Sequence, residues 1–142
     1  RDWSVTGVQT CALPISFCPV SFALDKFGDK WSLLIIRDLM FLGKETYGEF
    51  LESSEEIATN ILADRLKRME ADGILLKFRD PDNGRRVIYR LTEKGLDLAP
   101  VLISMIQWSS QYDPDCGAPQ QLMQRLKDDP DGLIAEIRSR AG

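Results

Sequence analysis

The stretch from Ile57 to Gly73, IATNILADRLKRMEADG, constrains the fold more than any other part of this chain. Its large apolar residues recur at i, i+4 and i+7, as Leu62, Leu66 and Met69. This spacing predicts a helix that is buried along one stripe. The opposite face carries polar or small residues, namely Asn60, Ala63, Asp64 and Lys67. Thr59 is the expected N-cap, and Gly73 is expected to end the helix in the left-handed conformation.

Such a helix either reads the groove of a nucleic acid or is an ordinary surface helix, and the residues before it favour the first interpretation. Thr46 and Glu49 have the spacing of a capping box, in which each side chain binds the backbone of the other residue. We expect a short helix there, followed by a polar turn at 53–56. Two helices joined by a few polar residues, the second with a polar face, indicate a helix-turn-helix.

The residues after the helix predict a β-hairpin. Two runs rich in strand-forming residues, 74–79 and 85–91, flank the turn sequence Pro81-Asp82-Asn83-Gly84. Arg79, Arg85 and Arg86 lie close to its tip. A basic hairpin after a helix-turn-helix is typical of the wing of a winged helix. The alternative is a hairpin whose arginines serve only solubility.

The charge distribution also favours an anionic partner for this region. The whole chain has a net charge of −4, and residues 17–57 contain four basic and eight acidic side chains. Residues 58–90 contain eight basic and five acidic ones, a net of +3. Positive charge is therefore concentrated on the predicted helix and hairpin, which matters more for nucleic-acid binding than the total does.

Several functional classes are disfavoured by composition. The chain has no histidine, which removes histidine-based catalysis and most zinc sites. Its three cysteines, Cys11, Cys18 and Cys116, form no C-x-x-C pair. We therefore expect no catalytic residues, no metal and no cofactor. The lack of a long apolar run or signal-peptide pattern predicts a cytoplasmic protein that does not contact the membrane.

The flanking segments are predicted to be helical. Cys18-Pro19 should open a helix that ends at Gly28, and Asp29 should cap a second, strongly apolar one that ends at Gly43. The segment from Thr92 to Tyr112 carries two apolar seams, so we expect one kinked but continuous helix through Pro100 that packs on its own domain and on a partner chain.

The two ends of the chain carry no recognisable chemistry. Residues 113–142 are acidic and broken by prolines, and we expect two short helices there, one with Leu122, Met123 and Leu126, the other with Leu133, Ile134 and Ile137. This tail is expected to be an appendage on the dimer surface or partly mobile. Residues 1–16 resemble a translated sequencing adapter, so we assign them to a non-native or disordered arm. The predicted domain is 17–112.

Residues 18–112 resemble the HxlR-type winged helix-turn-helix regulators. The resemblance lies in four strings that occur in the family's order: Cys-Pro at 18–19, Gly-Asp-Lys-Trp at 28–31, Ile-Ala-Thr-Asn at 57–60 and Leu-Thr-Glu-Lys-Gly at 91–95. It implies a bacterial transcription regulator that acts as a homodimer through its N-terminal helix and its long C-terminal helix. The expected fold is mainly α with a small β-hairpin wing (α+β). Many relatives have Ser-Pro in place of Ala58-Thr59 and Pro-Pro-Arg in place of Gly84-Arg85-Arg86, so their operators do not transfer.

The resemblance assigns site residues by position. The recognition helix would bind DNA through Thr59, Asn60, Ala63, Asp64, Arg65, Lys67 and Arg68, and the wing through Arg79, Arg85 and Arg86. The dimer interface would contain Val20, Phe22, Leu98, Leu102, Met105, Ile106, Trp108 and Tyr112. Thr59 and Asn60 would face base edges. The basic residues of the helix, Arg65, Lys67 and Arg68, would contact phosphates or cap the helix end, and Arg85 and Arg86 of the wing would reach the backbone or the minor groove.

The resemblance also makes Cys18 a possible redox sensor. A helix N-terminus favours the thiolate form of a cysteine, which is the reactive form. The alternative is a small buried residue at a helix start.

The expected partner is a double-stranded DNA operator, with an effector that is unknown. The rival interpretation is a winged-helix module that binds protein rather than DNA. The residue that favours it is Asp64, an acidic side chain on the polar face of the predicted helix. An enzyme is the weakest interpretation, because no pair of carboxylates or thiolate cleft is evident in the sequence.

Overall fold

The computed structural model describes residues 17–141, and within this range the chain forms eight helices and a two-stranded sheet. This confirms the predicted class, mainly α with a small β-hairpin. The expectations for residues 1–16, including Cys11, lie outside the described residues. None of the helices between residues 17 and 141 is both long and apolar enough to span a bilayer.

Between residues 17 and 71 the chain forms four helices: α1 Pro19–Phe27, α2 Lys30–Phe41, α3 Tyr47–Leu51 and α4 Thr59–Ala71. The Asp29 side chain caps α2 by accepting from the backbone N–H of Ser32, and the capping box predicted before α3 is present. The predicted N-cap of α4 is wrong by one residue. Ala58 holds that position without a side-chain hydrogen bond, and Thr59 is the first helical residue. Gly73 has a φ of +76°, the left-handed conformation expected of it.

The hairpin consists of antiparallel strands β1, Leu75–Asp80, and β2, Asn83–Leu91. The regular register runs from Leu75 opposite Leu91 to Arg79 opposite Val87 and then shifts, so that Asp80 lies opposite Asn83. Pro81-Asp82 connects the strands, and β2 begins two residues earlier than the run that we expected. Side-chain acceptors close this tight turn, since the Asp82 N–H donates to Asp80 Oδ1 and the Arg85 N–H donates to Asn83 Oδ1.

The expected continuous helix through Pro100 is wrong. The structure has a short helix α5, Glu93–Leu96, and a separate α6, Ala99–Tyr112. Pro100 lies in the first turn of α6, where its missing N–H leaves no hydrogen bond unmade. Asp97 and Leu98 form the turn that separates the two helices.

The tail forms two helices, as expected, α7 Gln120–Asp128 and α8 Pro130–Ala141. It is not an appendage, because Leu126, Leu133 and Ile137 are buried in the same core as the winged-helix residues. That core surrounds Ile36, Phe50, Leu62, Met69 and Leu75. Ion pairs from Arg138 to Glu93 and Asp97 also join α8 to the α5 segment.

Candidate nucleic-acid interface

The outer face of α4 carries the residues that the sequence assigned to it. Leu62, Leu66 and Met69 are buried on the inner side. The exposed side presents the polar and small residues, Thr59, Asn60, Ala63, Asp64, Lys67 and Arg68. The structure therefore brings six of the seven predicted recognition residues to one solvent-facing surface, which we call the reading face.

The start of α4 is held by a neighbour that sequence reasoning missed. The Tyr47 hydroxyl, on α3, donates to the backbone carbonyl oxygen of Thr59 at 2.9 Å. This bond fixes the spacing between the two helices of the helix-turn-helix at the end of α4 that presents Thr59 and Asn60. Tyr47 was visible in the sequence only as part of the capping box.

Arg65 is the seventh predicted recognition residue, and it is engaged within the protein. Its Nε donates to Asp29 Oδ1 at 3.1 Å, and its guanidinium also pairs with Asp64. Burial alone would raise the pKa of Asp29, but hydrogen bonds from Ser32 and Arg65 outweigh that effect and lower it. Because Asp29 caps α2, Arg65 connects the recognition helix to the start of α2.

A buried polar network holds the turn between α3 and α4. Arg37 donates to Glu55 at 2.7 and 3.0 Å and to Asp38 at 2.9 and 2.6 Å. Ser53 donates to Asp38 at 2.5 Å and accepts from Lys44 at 2.7 Å. Asp38 is only 2% exposed, and a buried carboxylate requires such partners.

This network has an electrostatic and a conformational consequence. Hydrogen bonds from Arg37 are the main reason that the pKa of Glu55 falls to about 2, and Glu55 in turn raises the pKa of Arg37. Glu56, the next residue, has a φ of 59°, a left-handed conformation that disfavours side chains with a Cβ. We infer that the ion pairs stabilise a strained turn directly before the recognition helix.

The three predicted wing arginines are all exposed, but their partners differ. Arg79 donates to the carbonyl oxygen of Gly84 at 2.8 Å. Arg86 pairs with Asp80 at 3.3 Å and with Glu45 at 3.5 Å. Arg85 forms no side-chain hydrogen bond or ion pair with any residue in the described range. The guanidinium of Arg85 is therefore the most available for an outside anion.

Within the described residues, α1 and α6 each expose an apolar surface. α1 buries none of its residues and leaves Val20 and Phe22 exposed, and α6 exposes Met105, Trp108 and Tyr112, with Trp108 66% accessible. Exposed apolar surface of this extent is typical of an interface.

Three other residues predicted for the dimer interface lie differently. Leu102 is 6% exposed and belongs to the core, and Leu98 and Ile106 are half-buried against that core. The expectation that Leu102 faces a partner is therefore corrected, because this side chain packs within its own chain. Leu98, which precedes α6, and Ile106 keep part of their surface exposed.

Cys18 occupies the N-cap position of α1 and is a free, half-buried thiol. Its side chain makes no capping hydrogen bond. The carbonyl oxygen of Cys18 accepts from the Phe22 N–H at 3.0 Å, so its backbone belongs to the helix start. The thiol thus lies next to the exposed surface of α1.

Comparison with known proteins assigns this architecture to a family. The HxlR-like helix-turn-helix family matches residues 26–116, which is more than half of the chain and includes α2 to α6 and the hairpin. The chain belongs to the HxlR-like helix-turn-helix family. Helices α7 and α8 of this HxlR-like chain lie outside the matched region.

Individual relatives agree with that assignment. The uncharacterised HTH-type transcriptional regulator sll1512 of Synechocystis sp. is 34% identical over 103 residues, which are 70% of this chain and 76% of that protein. The crystal structure of the candidate transcription factor PA1607 superposes with a TM-score of 0.64 at 35% identity, covering 82% of this chain and 75% of that one. The oxidised form of the redox regulator HypR gives a TM-score of 0.59 at 34% identity, covering 66% and 96% respectively.

The residues that position this HxlR-like site are mostly ones that sequence patterns do not reveal. Arg37, Asp38 and Ser53 carry no motif, and Asp38 even interrupts the apolar run of α2. A charged residue inside a helix that is otherwise apolar nearly all round was the available signal, since a buried charge requires a partner.

Proposed function

We propose that this HxlR-like chain is a homodimeric transcriptional regulator that binds specific sites on duplex DNA. The reading face of α4 enters the major groove, and the hairpin contacts the backbone or the minor groove. The observation that carries the proposal is the exposed reading face beside an arginine-bearing wing, on a helix that Asp29 and Tyr47 hold from within the protein. A helix held in this way offers preorganised side chains to the base edges.

Each part of the surface has a role that its chemistry supports. Asn60 near the start of α4 suits bidentate pairing with adenine, and Thr59 beside it suits a base edge or a phosphate. Lys67 and Arg85 form no ion pairs in the described part of the chain and suit phosphate contacts. Arg65 is not assigned to phosphate, because Asp29 and Asp64 already engage its guanidinium.

The homodimer is supported by the exposed apolar surfaces of α1 and α6. We propose that the interface contains Val20 and Phe22 of α1 together with Met105, Trp108 and Tyr112 of α6, with Ile106 at its edge. A two-fold dimer would place its recognition helices about 34–36 Å apart, one turn of B-DNA. Sedimentation velocity at micromolar concentration tests this, and a monomer at that concentration would contradict it.

Fluorescence anisotropy with random 30-base-pair duplexes at low salt tests DNA binding, and selection from random DNA then gives the preferred site. On that site we expect Asn60→Ala to weaken binding by roughly 1–3 kcal/mol and to relax preference at particular base pairs. Gln124→Ala, on the exposed side of α7, is the matched control and should bind like the wild type. No binding by micromolar dimer to any duplex would refute the proposal and favour a protein-binding module.

We propose Cys18 as an oxidation-sensitive switch of this regulator, supported by its position on α1 and by the likeness to HypR, a redox regulator. Oxidation of the thiol adds a polar group at the proposed dimer surface. A thiol oxidant should change the DNA affinity of the wild type and of Cys116→Ser, but not that of Cys18→Ser. If the oxidant changed the DNA affinity of Cys18→Ser as much as that of the wild type, Cys18 would be assigned to packing alone.

A further inference from the structure

A cavity of about 520 Å³ lies beside the helix-turn-helix, between α2, α6 and the segment that leads into α7. Most of its wall is apolar, with Leu34 and Phe41 from α2, Met105 from α6 and Leu122 from α7. Its volume falls within the range of about 300–1,000 Å³ that small-molecule sites occupy. Met105 and Ile106 of its wall border the proposed dimer interface, but none of the functions proposed above places a ligand in this cavity.

One end of the cavity is polar, and it belongs to the network that holds the turn before α4. Lys44, Ser53 and Arg37 line this end. Arg37 already directs its N–H groups to Asp38 and Glu55. Lys44 Nζ donates to Ser53 Oγ at 2.7 Å and lies 3.9 Å from Asp38 Oδ2.

Lys44 has unused hydrogen-bonding capacity at this end. An ammonium group has three N–H donors, and a single one is used on Ser53 among the hydrogen bonds in the described range. The nearby carboxylates of Asp38 and Glu55 are occupied by Arg37, whereas Glu52 also lines the cavity and is exposed. A ligand that complements the Lys44 ammonium must present acceptors.

We propose that this cavity binds a small hydrophobic carboxylic acid, with the carboxylate on Lys44 and the hydrocarbon body against Leu34, Phe41 and Met105. A carboxylate is the acceptor that an ammonium binds most strongly, because both partners are charged. Apolar walls with one polar end are the usual composition of a site for such a molecule.

Ligand binding is coupled to the reading face through Ser53. The carboxylate binds the same ammonium that donates to Ser53, and Ser53 and Glu55 lie in the turn that sets the start of α4. We expect the bound acid to loosen this turn and to weaken DNA binding. The binding step stands on the cavity alone, whereas its effect on DNA rests on the proposed function.

Isothermal titration calorimetry of the full chain with 2-naphthoate, without DNA, tests the binding step. We expect saturable binding, and about tenfold weaker binding both of the neutral 2-naphthamide to the wild type and of 2-naphthoate to Lys44→Met. Lys127→Met, an exposed lysine of α7 outside this cavity, is the matched control and should match the wild type. Ala118→Phe fills the cavity from its loop wall and should abolish binding.

The outcomes separate this inference from the proposed function. Absence of binding up to about 1 mM, or equal affinity of 2-naphthoate and 2-naphthamide for the wild type, overturns it even if Lys44→Met fails to fold. If 2-naphthoate does not bind and Ala118→Phe turns a dimer into a monomer in sedimentation velocity, the cavity seats a second copy and the inference is wrong. DNA binding by the ligand-free chain tests the proposed function independently, and a bound acid that left DNA affinity unchanged would refute the coupling.

Discussion

Replacing Asp38 by asparagine tests whether the buried network governs the stability of the domain. Asp38 is 2% exposed, and the substituted amide would keep the shape and an acceptor for Ser53. The variant would lose the charge that Arg37 contacts at 2.6 and 2.9 Å and would turn amide donors toward that guanidinium. Removing one partner of a buried ion pair costs about 3–5 kcal/mol.

The structure places this substitution at the low end of that range. Arg37 keeps two hydrogen bonds to Glu55, and its side chain is 28% exposed, so water can partly compensate it. We therefore expect Asp38→Asn to lower the free energy of unfolding by about 3 kcal/mol. For a chain of this size that corresponds to a fall in Tm of roughly 10 °C.

Urea denaturation followed by circular dichroism at 222 nm measures this change. The midpoint should fall while the slope m stays constant, because the surface exposed on unfolding is nearly unchanged. Asp115→Asn is the control, since Asp115 is exposed in the segment before α7, and it should stay within about 0.5 kcal/mol of the wild type. A loss below about 1 kcal/mol for Asp38→Asn would refute the reasoning that the network depends on this charge.

Three further predictions concern the wing, the tail and pH. Arg85→Ala should reduce the slope of log K against log salt by about 0.9 for each phosphate that the variant leaves unneutralised. Arg86→Ala should reduce this slope by less, because Asp80 and Glu45 already engage Arg86. Equal effects of the two substitutions in anisotropy titrations would contradict this. Ile137→Ala should destabilise the domain by about 2–5 kcal/mol in urea, since Ile137 is 2% exposed, and wild-type stability would mean that α8 is dispensable. Folding lowers the pKa of Glu55 from 4.5 to about 2, so the contribution of Glu55 to stability is present above pH 4.5 and is lost as the pH falls toward 2. This loss of stability should be smaller in Glu55→Gln. Identical pH profiles of stability for the variant and the wild type would refute this prediction.

The sequence predicted the elements of this fold closely because their signals are local. The apolar spacing of α4, the capping box at Thr46 and the turn residues after Asp80 each act over two to seven positions. One error arose where we expected tertiary packing to override a local rule. At Pro100 we expected tertiary packing to keep one helix, but proline in a first turn costs nothing, and the chain starts a new helix there.

The sequence predicted which residues lie on the reading face. It did not predict which charged side chains are free to bind a partner and which are paired within the protein. Periodicity alone decided that Asn60 and Lys67 lie opposite the buried stripe of α4. It could not show that Arg65 is engaged by Asp29, 36 residues away. Nor could it show that Arg86 is paired and that Arg85, within the described residues, is not.

By itself, then, the sequence determined the helix, the hairpin, their order and the face of α4 that remains polar, because these depend on contacts within a few residues. Only the tertiary structure decided which charges are used internally. Arg37 binds Glu55, 18 residues away in sequence, and Lys26 binds Asp72, 46 residues away. Local sequence patterns do not predict contacts between residues so far apart. The tail likewise enters the core because Leu126, Leu133 and Ile137 find apolar surface that α2 and its neighbours leave uncovered. The sequence thus predicted the recognition helix α4, and long-range contacts determined its position in the fold.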